Sequence, residues 1–171
     1  MTKDFSKELA KIQRDSFVER HIQLYADYEA MDTDPIIASA LDIIADEATI
    51  KNDQNEVLAI KSSDENIQRV LYNLFYDVLN IEFNLWSWTR NMVKYGDFFL
   101  KLEIAEKFGV YNVLPYTVYH IARHEGHDPD NPQKVEFELD PDGIATSSDT
   151  TYLPNKKQTS NIVIDNYEMA H

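Results

Sequence analysis

Residues 90–104 read RNMVKYGDFFLKLEI, and the change of rhythm inside that stretch decides the fold. Up to Tyr95 the apolar residues fall at helical steps. From Phe98 they alternate, with Phe98, Leu100, Leu102 and Ile104 on one side and Phe99, Lys101 and Glu103 on the other. Helices repeat every three to four residues and half-buried strands every two, so here a helix ends and a strand begins. Gly96 stands where a helix closes in a left-handed cap. Upstream lies one proline in 95 residues; after Gly96 come five prolines and three more glycines. The expectation is an α+β protein, with about four helices in the N-terminal half and an antiparallel β-rich C-terminal half.

Working back from Tyr95, one helix is expected over Glu82–Tyr95, with Leu85, Trp86, Met92 and Val93 on its inner face and Trp88 pointing elsewhere. The clearest helix precedes it. Ile67, Val70, Leu71, Leu74, Phe75, Val78 and Leu79 fall at i, i+3, i+4, i+7, i+8, i+11 and i+12, and Ser62 with Glu65 matches a capping box. Asn52–Asn55 reads as a polar turn and Val57–Lys61 as a short strand. Before them, Asp34 caps a helix that has Pro35 at its first position, where the missing N–H costs nothing. Its apolar stripe is read as Ile36, Ile37, Ala40, Leu41, Ile44 and Ala48, with Asp42, Asp46 and Glu47 off that face. The first helix is expected over Asp15–Met31, with Phe17, His21, Leu24, Tyr25 and Tyr28 on one face. Residues 1–14 are expected to be a flexible arm, and 15–171 a single α+β domain that looks truncated at its C-terminal end.

Working forward, Glu106–Gly109 is a turn and Val110–Leu114 the hairpin partner of the first strand. Tyr116–Ile121 is read as a third strand and Arg123–Gln133 as a loop. Val135, Phe137 and Leu139 alternate with charged residues in a further strand, closed by Asp140–Gly143. Residues 146–160 read as mobile and Asn161–Asp165 as a last strand. Tyr167–His171 shows no terminal element.

Composition narrows the function. The 171 residues are 43% hydrophobic and 12% aromatic, enough for a core, yet carry 30 acidic against 16 basic groups, a net charge of −14. Such a surface repels phosphate, so tight duplex binding is not expected. The absence of cysteine excludes disulfides, thiolate nucleophiles and Cys-based metal sites, and fits a reducing compartment. No apolar run approaches the roughly 18–20 residues of a membrane span, and the N-terminus lacks a signal-peptide layout. Four glycines, at 96, 109, 126 and 143, make neither a P-loop nor a dinucleotide fingerprint.

The one metal-like constellation is His120, His124 and His127 with Asp128 and Asp130. Imidazole and carboxylate suit zinc or manganese, with His124, His127 and Asp128 the better ligand set. On extended chain, however, residues four apart lie roughly 13 Å from one another, and solvated loop histidines are the simpler reading. Ser62 and Ser63 are explained as caps. Seven acidic groups against one lysine between Asp32 and Glu56 read as a solvated face, or as a surface for a basic partner. No catalytic, cofactor-binding, metal-binding or interface residue is assigned.

Three stretches together carry a resemblance: residues 25–48 (YADYEAMDTDPIIASALDIIADEA), 90–100 (RNMVKYGDFFL) and 166–171 (NYEMAH). The chain resembles the portal, or head-vertex, proteins of T-even-like contractile-tailed bacteriophages. The resemblance implies a structural protein without cofactors, corresponding to much of the N-terminal wing. Its expected context is a dodecameric ring of copies at one capsid vertex. That ring nucleates head assembly and packages and ejects DNA. The implied partners are the major capsid protein, scaffold, terminase and neck proteins, with genomic double-stranded DNA passing through without sequence-specific binding. The implied location is the virion, after assembly in the bacterial host cytoplasm. Stem, clip and crown segments of such proteins would follow His171. Two other classes stand beside it: a stand-alone acidic adaptor domain, and a metal-dependent hydrolase built on the histidine loop. Lys94, Tyr95, Gly96 and Asp97 are expected to set helix–sheet geometry rather than to bind a ligand.

Overall fold

The computed structural model describes residues 20–125, 131, 133–140 and 162–171. The expected arm, the start of the first helix, the 146–160 stretch, and His127, Asp128 and Asp130 lie outside the described residues. Helices come first and antiparallel strands follow, as the change of rhythm at Gly96 implies. Residues 20–31 form α1, Pro35–Ala48 α2, Glu65–Tyr72 α3 and Ile81–Tyr95 α4.

Local signals set most of the helix ends. The Asp34 carboxylate accepts from the Ile36 N–H at 2.8 Å, with Pro35 in the first turn. Gly96 closes α4 at φ 76°, its N–H donating to the Met92 carbonyl at 2.8 Å. The α3 cap is Asp64 rather than the Ser62–Glu65 box: its carboxylate accepts from the Asn66 and Ile67 N–H groups. Ser62 instead accepts from the Asp64 N–H at 3.1 Å. An ionised oxygen is the stronger acceptor at a helix N-terminus, and Asp64 stands closer to the first turn. Beyond Tyr72 the helix widens into a π-helical turn over Asn73–Val78, with the Leu79 N–H reaching back five residues to the Leu74 carbonyl. Val57–Lys61 forms no strand. The Leu58 carbonyl takes the Tyr76 hydroxyl at 2.7 Å and the Ile60 carbonyl takes Gln68 Nε2 at 3.2 Å. Side chains from the next helix replace the ladder.

Among the described residues six strands lie beyond Gly96: β1 (Phe99–Ala105), β2 (Gly109–Tyr116), β3 (Ile121–Glu125), β4 (Val135–Leu139), β5 (Ile162–Ile164) and β6 (Met169–Ala170). They make two three-stranded antiparallel sheets, ordered β2-β1-β6 and β3-β4-β5. The β1–β2 hairpin pairs Lys101 with Leu114 and bulges between Glu103 and Ile104. Two segments differ from expectation. Tyr116–Ile121 is not one strand: Tyr116 ends β2, Ile121 opens β3, and between them the His120 N–H closes a turn on the Thr117 carbonyl at 3.0 Å. Ile121–Glu125, read largely as loop, is a strand because β4 supplies its partner, from Ile121 against Leu139 to Glu125 against Val135. The end of the chain is also structured. A 3₁₀ turn over Asn166–Glu168 leads to β6, whose Met169 and Ala170 pair with Lys101 and Leu100. A two-residue strand is too short to show a period.

The core gathers Tyr25 from α1, Phe99 from β1, Val118, Ile121, Phe137, Leu139, Ile164 and Met169. On β1 the buried side is Phe99, at 3% exposure, while Leu100 and Leu102 are half-buried and Ile104 is exposed. Alternation gives the period of a strand but not the side the core occupies. Phe137 meets the Phe99 ring edge-on at 6.1 Å, which settles the side.

The Gly96 cap has nothing within 4 Å of an added Cβ, so its cost is one of backbone conformation alone. Gly96→Ala is expected to lower stability by about 1–2 kcal/mol, the left-handed penalty for an L side chain, and Gly96→Asn by less. Urea unfolding curves of the three chains check this.

Candidate functional site, a polar anchor beneath exposed helical faces

Directly after the α4 cap, Asp97 is gripped from two directions. The Tyr25 hydroxyl donates to Oδ2 at 2.6 Å, and His171 Nε2 lies 2.9 Å from Oδ1. The His171 ring stacks on Phe99, with centroids 4.7 Å apart and planes 11° from parallel. One carboxylate thus joins α1, the start of β1 and residue 171. Burial works to raise the Asp97 pKa, but the bonds from Tyr25 and His171 outweigh it and hold the carboxyl below its usual range. Burial and the same bond push the Tyr25 phenol well up. Tyr95 behaves alike, its burial reinforced by donation to Glu29 Oε1 at 2.7 Å. Neither phenol is poised to ionise.

A second anchor ties α4 to the α1–α2 junction. The Arg90 guanidinium forks onto Asp32, with Nη2 to Oδ1 at 2.8 Å and Nη1 to Oδ2 at 3.1 Å, while Nε donates to Asp42 at 2.5 Å. Lys94 Nζ adds a contact to Asp32 at 3.1 Å and lies 4.7 Å from the Tyr95 ring centre. The Asp32 side chain is only 16% exposed. The Arg90 bond, helped by Lys94 and opposed by burial, draws its pKa down to about 2. Bonds to Asp32 and Asp42 hold the Arg90 guanidinium more firmly protonated.

These contacts overturn the expected facing of α2. Along the α2–α4 face Asp42 meets Arg90, Asp46 accepts from Trp86 Nε1 at 2.7 Å, and Lys51 meets Glu82 at 3.1 Å. The partners step forward along α2 and its exit as they step back along α4, as antiparallel helices must. Asp42 and Asp46 therefore turn toward α4, and Ala45 between them is fully buried. The expected stripe is only partly covered: Ile37 and Leu41 are half-buried, while Ile36 is 79% exposed and Ile44 47%, with Ala40 and Ala48 also exposed. Trp86, read as core, is 39% exposed because its indole N–H goes to Asp46. Trp88 packs on Phe98 with centroids 6.0 Å apart, a second packing surface.

The clearest helix in the sequence is the least covered. No residue of α3 is buried, and Ile67, Val70 and Tyr72 are exposed. With Ile43 on α2 and Phe83 on α4, exposed large hydrophobics number eighteen among the described residues against ten buried ones. The balance points to surfaces made to be covered.

The expected histidine constellation does not converge within the described residues. His120 Nδ1 donates to the Asp140 carbonyl at 2.9 Å, and His124 Nε2 meets Glu138 at 2.8 Å across the β3–β4 ladder. Among the described residues no three His, Cys, Asp or Glu side chains could hold one metal ion. Nor is any helix there long and apolar enough to cross a membrane. The residues that sequence reasoning misses are Tyr25, Asp32, Arg90 and His171. Their partners lie 48 to 74 positions away, and no local pattern marks such pairs.

Taken together, the polar machinery is structural and the apolar faces look outward, the build of an assembly module. The family model described as bacteriophage T4-like portal protein (Gp20) matches residues 21–161, and the chain belongs to that family. It is a family of structural portal proteins, the head–tail connectors of phage particles. Among curated proteins none matches this chain.

Because the Asp32 carboxyl lies near 2 in the folded chain and at 3.8 when unperturbed, its pairing stabilises the fold above the higher value. That stabilisation, about 2 kcal/mol, fades as the pH falls through the lower one. Asp32→Asn is therefore expected to cost about 2 kcal/mol near neutral pH, and the gap from the parent chain to close as the pH approaches about 2. Urea unfolding at stepped pH reads it.

Proposed function

We propose that this chain works as the wing-like part of a portal ring, with residues 15–171 as one domain. Copies pack side by side at one capsid vertex, in the phage head assembled in the bacterial host. The ring nucleates head assembly, passes genomic double-stranded DNA during packaging and ejection, and meets the major capsid protein, scaffold, terminase and neck proteins. The family match supports the structural role. The observation that carries the packing role is the uncovered apolar face of α3. Ile67 and Val70, one turn apart, stand 53% and 64% exposed on a helix without a buried residue. Fully burying such side chains is worth about 1.5–3 kcal/mol each, enough to drive association when copies are held close. A net charge of −14 supports passage of DNA without gripping it, since phosphate contacts run on basic groups.

Light scattering across a concentration series tests this. The chain is expected to associate with itself, and Ile67→Ser with Val70→Ser to weaken that association about tenfold or more, a loss of at least ~1.4 kcal/mol. A monomer at every concentration, or unchanged association in the double variant, counts against this face as the contact between copies.

A further inference from the structure

A pocket of about 280 Å³ opens where α1, the end of α4 and the β2–β3 turn meet. Its walls are aromatic and acidic: Tyr95, Phe98, Tyr116 and Tyr119 surround the space, and Glu29 and Asp97 give it charge. None of its lining residues is basic. We propose that this pocket receives the side chain of an arginine from a partner protein.

Size comes first. The volume falls just under the roughly 300–1,000 Å³ of small-molecule sites, so it suits one side chain better than a cofactor. Charge comes second. Both oxygens of Asp97 are already taken by Tyr25 and His171, so the open negative charge is that of Glu29, with no lining cation beside it and on a chain already at −14. The neighbouring cations Lys94 and Arg90 are committed to Asp32 and, for Arg90, also to Asp42. Glu29 is exposed; its Oε1 accepts from the Tyr95 hydroxyl at 2.7 Å, and the Tyr119 hydroxyl bonds the same carboxylate. A carboxylate offers about four lone-pair sites, so Glu29 keeps room for a further donor.

The aromatic rings decide between cations. A guanidinium is flat, weakly hydrated and able to stack on a tyrosine face while donating to a carboxylate beside it. The rings are held for this. Tyr25 meets both Tyr95 and Tyr119 edge-on, at 5.8 and 6.0 Å, so neither wall must be ordered on binding. Tyr95 already carries one cation within the chain, the Lys94 ammonium 4.7 Å from its centre. Burial and the Glu29 charge push the Tyr119 phenol up to about 12, so it stays neutral. The site needs no ring of copies. A monomeric chain would hold it equally.

The test is a two-dimensional NMR titration of the chain with N-acetyl-arginine amide and, separately, its neutral isostere N-acetyl-citrulline amide. Arginine amide is expected to give saturable shifts at Tyr95, Thr117 and Tyr119, with citrulline amide at least about fivefold weaker. Glu29→Gln should weaken arginine amide by a similar factor, as should Tyr119→Leu, with the spectrum otherwise dispersed as in the parent. Equal response to the two amides, or no saturable shift with arginine amide, overturns the proposal. That comparison needs only the parent chain, so it decides the matter even where a variant folds poorly.

Discussion

One carboxylate holds the two halves of this protein in register. Asp97 sits at the single point where the helical layer becomes sheet, between the left-handed cap at Gly96 and the aromatic core residue Phe99. Its two oxygens are taken by the Tyr25 hydroxyl from α1 and the His171 imidazole beside β6. A half-buried charge is costly unless paired and hydrogen-bonded. Once paired, it fixes direction in a way that apolar contact does not. Tyr25 must lie over β1 for its hydroxyl to reach, and its ring then joins Phe99, Phe137 and Met169 in the core. The core is small, and the polar grip is what aims α1 at it.

The helical layer repeats this logic. α2 and α4 meet through Arg90, Trp86 and Glu82 against Asp42, Asp46 and Lys51, with only Ala45 fully buried between them. The fork of Arg90 onto Asp32 fixes where α1 hands over to α2. Held together by directional contacts, the layer leaves its larger apolar side chains free. Ile36 and Ile43 on α2, and Ile67 and Val70 on α3, face outward because nothing within the described chain recruits them. Helices joined largely by directional polar contacts, with large apolar side chains left at the surface, suit a component whose neighbours complete it.

Much of the fold is legible in the sequence because its signals are local. Asp34 before Pro35, Gly96 after the last helical turn, the Val135–Leu139 alternation and the β1–β2 hairpin each carry their instruction within a few residues. The features that escape depend on distant partners. The α2 stripe is apolar, as its period says, but only Ile37 and Leu41 of it are half-buried, because Arg90 and Trp86, some forty residues on, turn Asp42 and Asp46 toward α4. Arg123–Glu125 looks like loop until β4 is beside it. His171 reads as the last residue of a featureless tail, yet it stacks on Phe99 and binds Asp97. Of the candidate site, only the structural role of residues 94–97 can be read in advance. Periodicity reports which face of a helix is apolar, not whose surface will cover it.

The acidic run from Asp32 to Glu56 carries the same lesson into electrostatics. By composition alone, seven carboxylates against one lysine are either a solvated face or bait for a basic partner. In the fold Asp32 and Asp42 belong to Arg90, Asp46 to Trp86, and Asp34 to the α2 cap. More than half of the run is therefore committed to holding helices together, and its charge is partly neutralised where it stands. The same segment leaves isoleucine exposed, at positions 36, 43, 44 and 50. Copies of a strongly acidic chain repel at long range, and salt screens that repulsion within about 10 Å. Short-range burial of those apolar faces acts inside that distance. Under the proposed ring, contact between copies on the helical side would be governed by apolar fit, with charge deciding only how readily they approach.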